Sequence, residues 1–339
     1  QSTGTPSDGT VLPASVATGL DFTFNSVVVG KGANSVNSNT VLGQTALDAA
    51  VTGVNNTAVG INALSQNTSG QANTSIGAYT LDSNTTGSFN TGVGLQALTE
   101  LTTGSNNTAI GQYSSALMTT AGGNTSVGQA SLQSATTGYN NVAIGQYALR
   151  LNVTGYQNTA VGYKALDANT TNNNVAVGKH ALLLNTTGTH NTALGTGTLA
   201  SNTTSNNNTA VGISALAVNT AASNTAVGSF SLDANTSGAR NSAFGDAAGG
   251  SNTTGSDNAA FGSFAFTVNT TGAQNTACGG YSLNKNTTAS ANTAVGYLSL
   301  FENTTGTRNT AVGHLSLDAN TTANDNTAIG HAALGNNTT

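Results

Sequence analysis

The side chains able to do chemistry in this sequence are few and scattered. Twelve acidic and seven basic residues, four histidines and one cysteine are spread over 339 positions. His314 and His331 stand seventeen residues apart and could share a metal ion, but they lack a third ligand, and no Cys/His cluster has zinc spacing. Asp48, Asp82, Asp167, Asp233 and Asp318 recur at equivalent places far apart in the chain. They read as isolated, exposed groups rather than the close carboxylate pair that glycoside hydrolysis requires. Glutamate occurs only at Glu100 and Glu302, and neither His180 nor His190 sits in a nucleophile–base motif. Gly30-Lys31-Gly32 lacks the phosphate-loop pattern. The expectation is a protein that is not an enzyme, with no catalytic, cofactor-binding or metal-binding residue.

Composition narrows the classes further. Thr (58), Asn (46) and Gly (42) make up more than two fifths of the chain, and only 6% is charged, against roughly 25% in a typical soluble domain. All three are poor helix formers, so an all-helical fold is excluded. A net charge of −5 without a basic run argues against nucleic acid as a partner. No apolar stretch approaches the ~18 residues of a membrane span, so no membrane insertion is expected. A single cysteine makes no internal disulfide. A chain that opens on Gln1 reads as a processed product, and the expected location is extracellular, at a cell surface.

What positions these residues is a repeat. The pattern Asn-Thr-Ala-Val-Gly returns eighteen times between Asn39 and Asn326, at a spacing of 17 except for two spacings of 16, after Asn158 and Asn208. Numbered from that Asn, position 1 is always Asn, position 5 always Gly and position 4 always apolar. Position 9 is usually Leu, and positions 12–15 read Asn-Thr-Thr-Gly. So regular a period predicts an all-β parallel solenoid of about eighteen coils, with identical residues stacked in columns along a rod roughly 85–90 Å long at ~4.8 Å per coil.

Each unit holds two β-prone runs, at positions 2–4 and 6–9, separated by glycine. The expected core is the aliphatic column at position 4 (Val59, Val93, Ile110, Ile144, Val161, Val177, Val211, Val295, Val312, Ile329) together with that at position 9 (Leu64, Leu98, Leu166, Leu216, Leu300). Gly60, Gly111, Gly162, Gly212 and Gly296 at position 5 are the expected sharp corners. Alternation then turns the Ala column at position 3 outward, as a surface for packing against further copies. Cys278, at position 4, is expected to be buried and inert.

Asn141-Val-Ala-Ile-Gly145 and Asn174-Val-Ala-Val-Gly178 resemble the Ser-Val-Ala-Ile-Gly repeat of trimeric autotransporter adhesin heads, the YadA-like family. Ser26-Val-Val-Val-Gly30, followed thirteen residues on by Asn39, is similar to the shorter spacing of that family. The longer Asn-Thr-Thr-Gly turn resembles repeats of phage tail-fibre-like and bacterial surface-fibre proteins. The likeness covers about residues 26–339. It implies a left-handed β-roll, three chains around a common axis, and an extracellular fibre or adhesin role with a surface glycan or host-surface ligand as partner. No heptad stalk, membrane-anchor barrel or tip domain is visible, so an end-to-end filament of this chain stands beside the trimer. A virion tail-fibre shaft is the alternative setting.

Residues 1–25 are non-repetitive. Pro6, Pro13 and the Phe22/Phe24 pair predict an extended leader and a cap over the first coil, or a segment linking neighbouring subunits. The sequons at position 12, among them Asn84, Asn169, Asn185, Asn252 and Asn303, are candidate glycosylation sites, although the turn itself demands Asn and Thr. Aromatic residues at position 7, such as Tyr79, Tyr113, Tyr147, Phe230, Phe264 and Tyr281, form either an outward stripe for glycan contact or part of an inter-chain packing. Thr ladders raise an ice-binding alternative. Against it, Thr at position 2 shares the parity of position 4, which is expected inside.

Overall fold

The computed structural model describes residues 21–338; Pro6, Pro13 and most of the leader lie outside the described residues. Each unit contributes one short strand at positions 2–4, from β3 (Thr40–Gly43) and β4 (Thr57–Val59) to β20 (Thr327–Ile329). These eighteen strands lie in one parallel sheet, like against like: Thr57 pairs with Thr74, Ala58 with Ser75 and Val59 with Ile76. They delimit seventeen stacked coils of a β-solenoid, about 80 Å long at ~4.8 Å per step. Among the described residues the only helical element is a 3₁₀ turn at Ala33–Ser35.

The run at positions 6–9 forms no second strand. Positions 7 and 9 adopt the left-handed conformation, as in Asn62 (φ 55°) and Leu64 (φ 51°), or Lys164 (φ 54°) and Leu166 (φ 51°). The backbone is still bonded to both neighbours: Asn62 N–H donates to Gln44 O in the previous coil (3.0 Å), and Leu64 N–H to Thr80 O in the next (3.1 Å). A left-handed residue other than glycine costs about 1–2 kcal/mol. Full burial of a leucine, worth about 1.5–3 kcal/mol, offsets that at position 9. Position 5 has no such latitude. Gly162 has φ +133°, and a Cβ there would sit 2.6 Å from the carbonyl oxygen of Gly178.

The interior differs from the expectation in one column. Leu64, Leu98, Leu166, Leu216 and Leu300 are fully buried, and so are Ala58, Ala109, Ala143 and Ala160 at position 3. None of Val59, Val93, Ile110, Ile144, Val161, Val177, Val211, Val295, Val312 and Ile329 is buried; Ile110 is 40% exposed and Ile329 72%. Position 4 faces out, and position 3 faces in. The cause is the Asn at position 1, which shares a strand face with position 3. Its amide is needed inside: each Asn side chain from Asn39 to Asn309 accepts a hydrogen bond from the backbone N–H of the next, as Asn73 Oδ1 does from Asn90 N–H (2.9 Å). With that amide ladder and a leucine column filling a narrow coil, only Ala, Ser or Gly fits at position 3 in the coils from β4 onward.

The two 16-residue coils shorten the turn after position 12; the Oδ1 ladder runs through them, but the amide nitrogens change partners. Asn158 Nδ2 shifts to the carbonyl of Thr171 (2.6 Å), while Asn208 Nδ2 is left buried without a partner. At the N-terminal end, Ser26–Gly30 makes no coil. Val27–Gly30 is β2, antiparallel to β3, and it pairs in turn with β1 (Phe22–Phe24). The parallel stack therefore begins at Thr40 rather than Ser26. The Asp21 carboxylate holds the hairpin by accepting the N–H groups of Lys31 (2.6 Å) and Gly32 (2.7 Å).

Candidate functional site

One regular surface is the outer face of the sheet, built by positions 2 and 4. Thr at position 2 is half-buried in most coils, beside an unbroken column of Val, Ile, Leu, Phe or Cys at position 4. Leu42, Ile76, Ile110, Ile144 and Leu194 are each about two fifths exposed or slightly more. Phe244 and Phe261 stack within this column, centroids 5.0 Å apart. Cys278 follows them and is exposed, not buried, because it shares the outward parity. The same reversal removes the argument that placed the Thr column inside.

Beyond the corner, aromatic rings stack from coil to coil. Phe264, Tyr281, Tyr297, His314 and His331 form one series, with successive centroids 5.1–6.1 Å apart. Tyr147, Tyr163 and His180 form another, with Lys164 Nζ 5.6 Å from the Tyr163 ring centre. Sequence spacing brings these rings together, but where they stack face to face they offer a ligand mainly their edges. Tyr79 and Phe230 are exposed without a stacked neighbour of this kind among the described residues, whereas Tyr113 is half-buried.

Charged groups are arranged by the same period. Arg150–Asp167 (2.9 Å), Arg240–Asp257 (2.6 Å), Lys285–Glu302 (2.7 Å) and Arg308–Asp325 (2.6 Å) each join one position in adjacent coils. Where these charges meet in one column of adjacent coils they are of opposite sign, as stacking of identical positions requires. Asp167, expected to be exposed, is buried, with both carboxylate oxygens accepting from Arg150. Hydrogen bonding to Arg240 and Arg308 lowers the pKa of Asp257 and Asp325, while burial raises that of Asp233. His314 and His331 are neighbours, yet no group of three His, Cys, Asp or Glu residues is gathered among the described residues. A cleft of about 280 Å³ at the hairpin end has Asp21 and Asp48 in its lining.

The position-12 sequons lie inside. Asn84, Asn169, Asn185, Asn252 and Asn303 are fully buried, and their Nδ2 atoms are spent on internal hydrogen bonds, as when Asn252 donates to Asn235 Oδ1 (2.9 Å) and Gly255 O (2.9 Å). A glycan at these nitrogens has no space in the folded chain. Accessible sequons lie instead at position 17: Asn55, Asn106 and Asn207 are exposed, marked in the sequence by Asn-Asn-Thr. No protein-family model matches the sequence, and no curated protein matches it.

Proposed function

We propose that this chain is the shaft subunit of an extracellular fibre, assembling with copies of itself through the outer face of its sheet and serving surface attachment. The observation that carries the reading is the unbroken apolar column at position 4, which faces outward along the whole stack, every member exposed or half-buried. A strip about 80 Å long and on the order of 10 Å wide offers on the order of 800 Å² per copy, the usual size of a stable contact. A parallel face with side chains of the same kind on every coil suits a copy of itself in register. The likeness of Asn141–Gly145 to trimeric adhesin heads makes a homotrimer the favoured assembly, with an end-to-end filament or a virion tail-fibre shaft as the other forms. Attachment to a glycan or host-surface ligand falls to columns outside that face, and this reading assigns no catalysis to the chain.

Sedimentation of the intact chain beside the triple variant Ile76→Asp/Ile110→Asp/Ile144→Asp tests this. Three carboxylates on the outer face are expected to leave the β circular dichroism intact and reduce the assembly to monomers. An unmodified chain that sediments as a monomer overturns the reading.

The outward Thr column favours one second reading, ice binding. Fourteen of the eighteen position-2 residues are Thr, presented at a regular spacing of ~4.8 Å along a flat face. Inhibition of ice recrystallisation by the intact chain, lost when Thr57, Thr74 and Thr91 are changed to Tyr, would favour it; absence of inhibition removes it.

A further inference from the structure

A second column carries a pattern that the proposed shaft does not use. At position 11, Leu117, Leu151, Leu184 and Val218 stand in alternate coils and are 49%, 43%, 47% and 41% exposed. The coils between and after them place Ser134, Ala168, Ser201 and Ala234 at the same position, all half-buried. The backbone keeps these residues in register: Leu117 N–H donates to Gln133 O (3.1 Å), Ser134 N–H to Arg150 O (3.0 Å) and Leu151 N–H to Asp167 O (3.0 Å). Eight consecutive coils thus form a ridge of large apolar side chains about 10 Å apart, with small residues in the gaps. No charged residue occupies position 11 within this stretch.

We infer that this ridge is a lateral docking surface for a second copy of the same chain, lying antiparallel with its ridge shifted by one coil. Each large residue then meets a small one: Leu117 faces the second copy's Ala234, and Leu184 its Ala168. The arrangement is its own complement, so it closes with two-fold symmetry. A parallel copy shifted by one coil also interlocks, but it sets the Glu100 carboxylate against Leu117, where it would lose water without gaining a partner. The antiparallel register sets Glu100 opposite Ser251 and brings no like charges together. The ridge spans about 35–40 Å and covers on the order of 400 Å² per copy, less than a permanent dimer needs. The contact is therefore reversible and joins shafts side by side, independently of the sheet face.

Disulfide trapping in a Cys278→Ser background tests the register. An equimolar mixture of Leu117→Cys and Ala234→Cys chains is expected to give linked pairs on mild oxidation, whereas Leu117→Cys with Ser134→Cys is not. In parallel, the unmodified chain should show a concentration-dependent sedimentation step that Leu151→Ser/Leu184→Ser removes without altering the smaller assembly. Linking of the second mixture instead of the first overturns the antiparallel register. Absence of linking in both, with sedimentation independent of concentration, overturns the docking surface itself.

Discussion

Asn107 and Asn124 are joined twice: the backbone N–H of Asn124 donates to Asn107 Oδ1 at 3.1 Å, and its Nδ2 donates to the same oxygen at 3.2 Å. Asn107 Nδ2 in turn serves the carbonyl of Ala121 (2.9 Å). One side chain therefore satisfies backbone groups of two different coils in a place water does not reach. Asn107→Ala would orphan both groups, at about 1–3 kcal/mol each. The expected outcome is a loss of about 2–6 kcal/mol in urea unfolding, against less than about 1 kcal/mol for Thr103→Ala on the exposed turn.

Positions 3 and 4 should respond oppositely to substitution. Ala160→Leu forces volume into a closed interior and is expected to cost about 1–3 kcal/mol or more of folding stability. Val161→Asp leaves the coil folded and weakens association of copies. Thermal melting of each variant, paired with sedimentation, separates the two effects. A large drop in melting temperature for Val161→Asp alone would contradict the outward parity.

Asp167→Ala is not silent in this arrangement. It strips Arg150 of a two-pronged partner whose side chain is only 10% exposed. The expected loss is about 1 kcal/mol, discounted for the one-third exposure of the arginine. Restoration by the double variant Arg150→Gln/Asp167→Ala, read by urea unfolding, checks that the pairing is responsible.

Acid should affect the aspartates in a fixed order. Arg240 and Arg308 hold Asp257 and Asp325 below the ordinary carboxylate pKa, so what these contribute is present above that value and lost as pH falls through their lowered pKa. Burial holds Asp233 above it, so its contribution is present below the ordinary value and lost as pH rises through its raised pKa. In a carbon-13 titration of labelled aspartates, Asp233 is expected to protonate before Asp257 and Asp325 on acidification.

Expression in a host that modifies Asn-x-Thr sequons should mark Asn55, Asn106 and Asn207 and leave Asn84, Asn185 and Asn252 bare in the folded fraction. Peptide mass mapping reads this directly. A glycan recovered on Asn252 in folded protein would contradict the buried amide column.

The period, the glycine corners and the leucine column were legible because each depends on a residue type that few others can replace. Gly162 is needed for its dihedral angle, and Leu166 fills the coil. The direction of Ala160 and Val161 was not legible from hydrophobicity, which ranks valine as the more interior residue. What decides it is Asn158 on the same strand face as Ala160: its amide serves the N–H of Asn174 and the carbonyl of Thr171, and leaving these unpaired would cost more than Val161 would gain by burial. The second strand failed to appear for a related reason: Leu166 reaches the interior through a left-handed turn, a conformation that β-propensity does not register. The stacked aromatic series was partly legible, since seventeen-residue spacing brought Phe264 over Tyr281. That Tyr297 joins from position 6 depends on side-chain directions that the repeat does not encode.

Every coil is bonded to segments only one turn of the chain away, so none waits for a distant part of the molecule before it can close. During synthesis the Phe22–Gly30 hairpin emerges before β3, and each later coil finds its template already in place. Such a rod can advance as a zipper, solid at its leading end while the remainder is still unfolded. Closing each coil also locks the one before it, so folding itself runs in one direction along the chain.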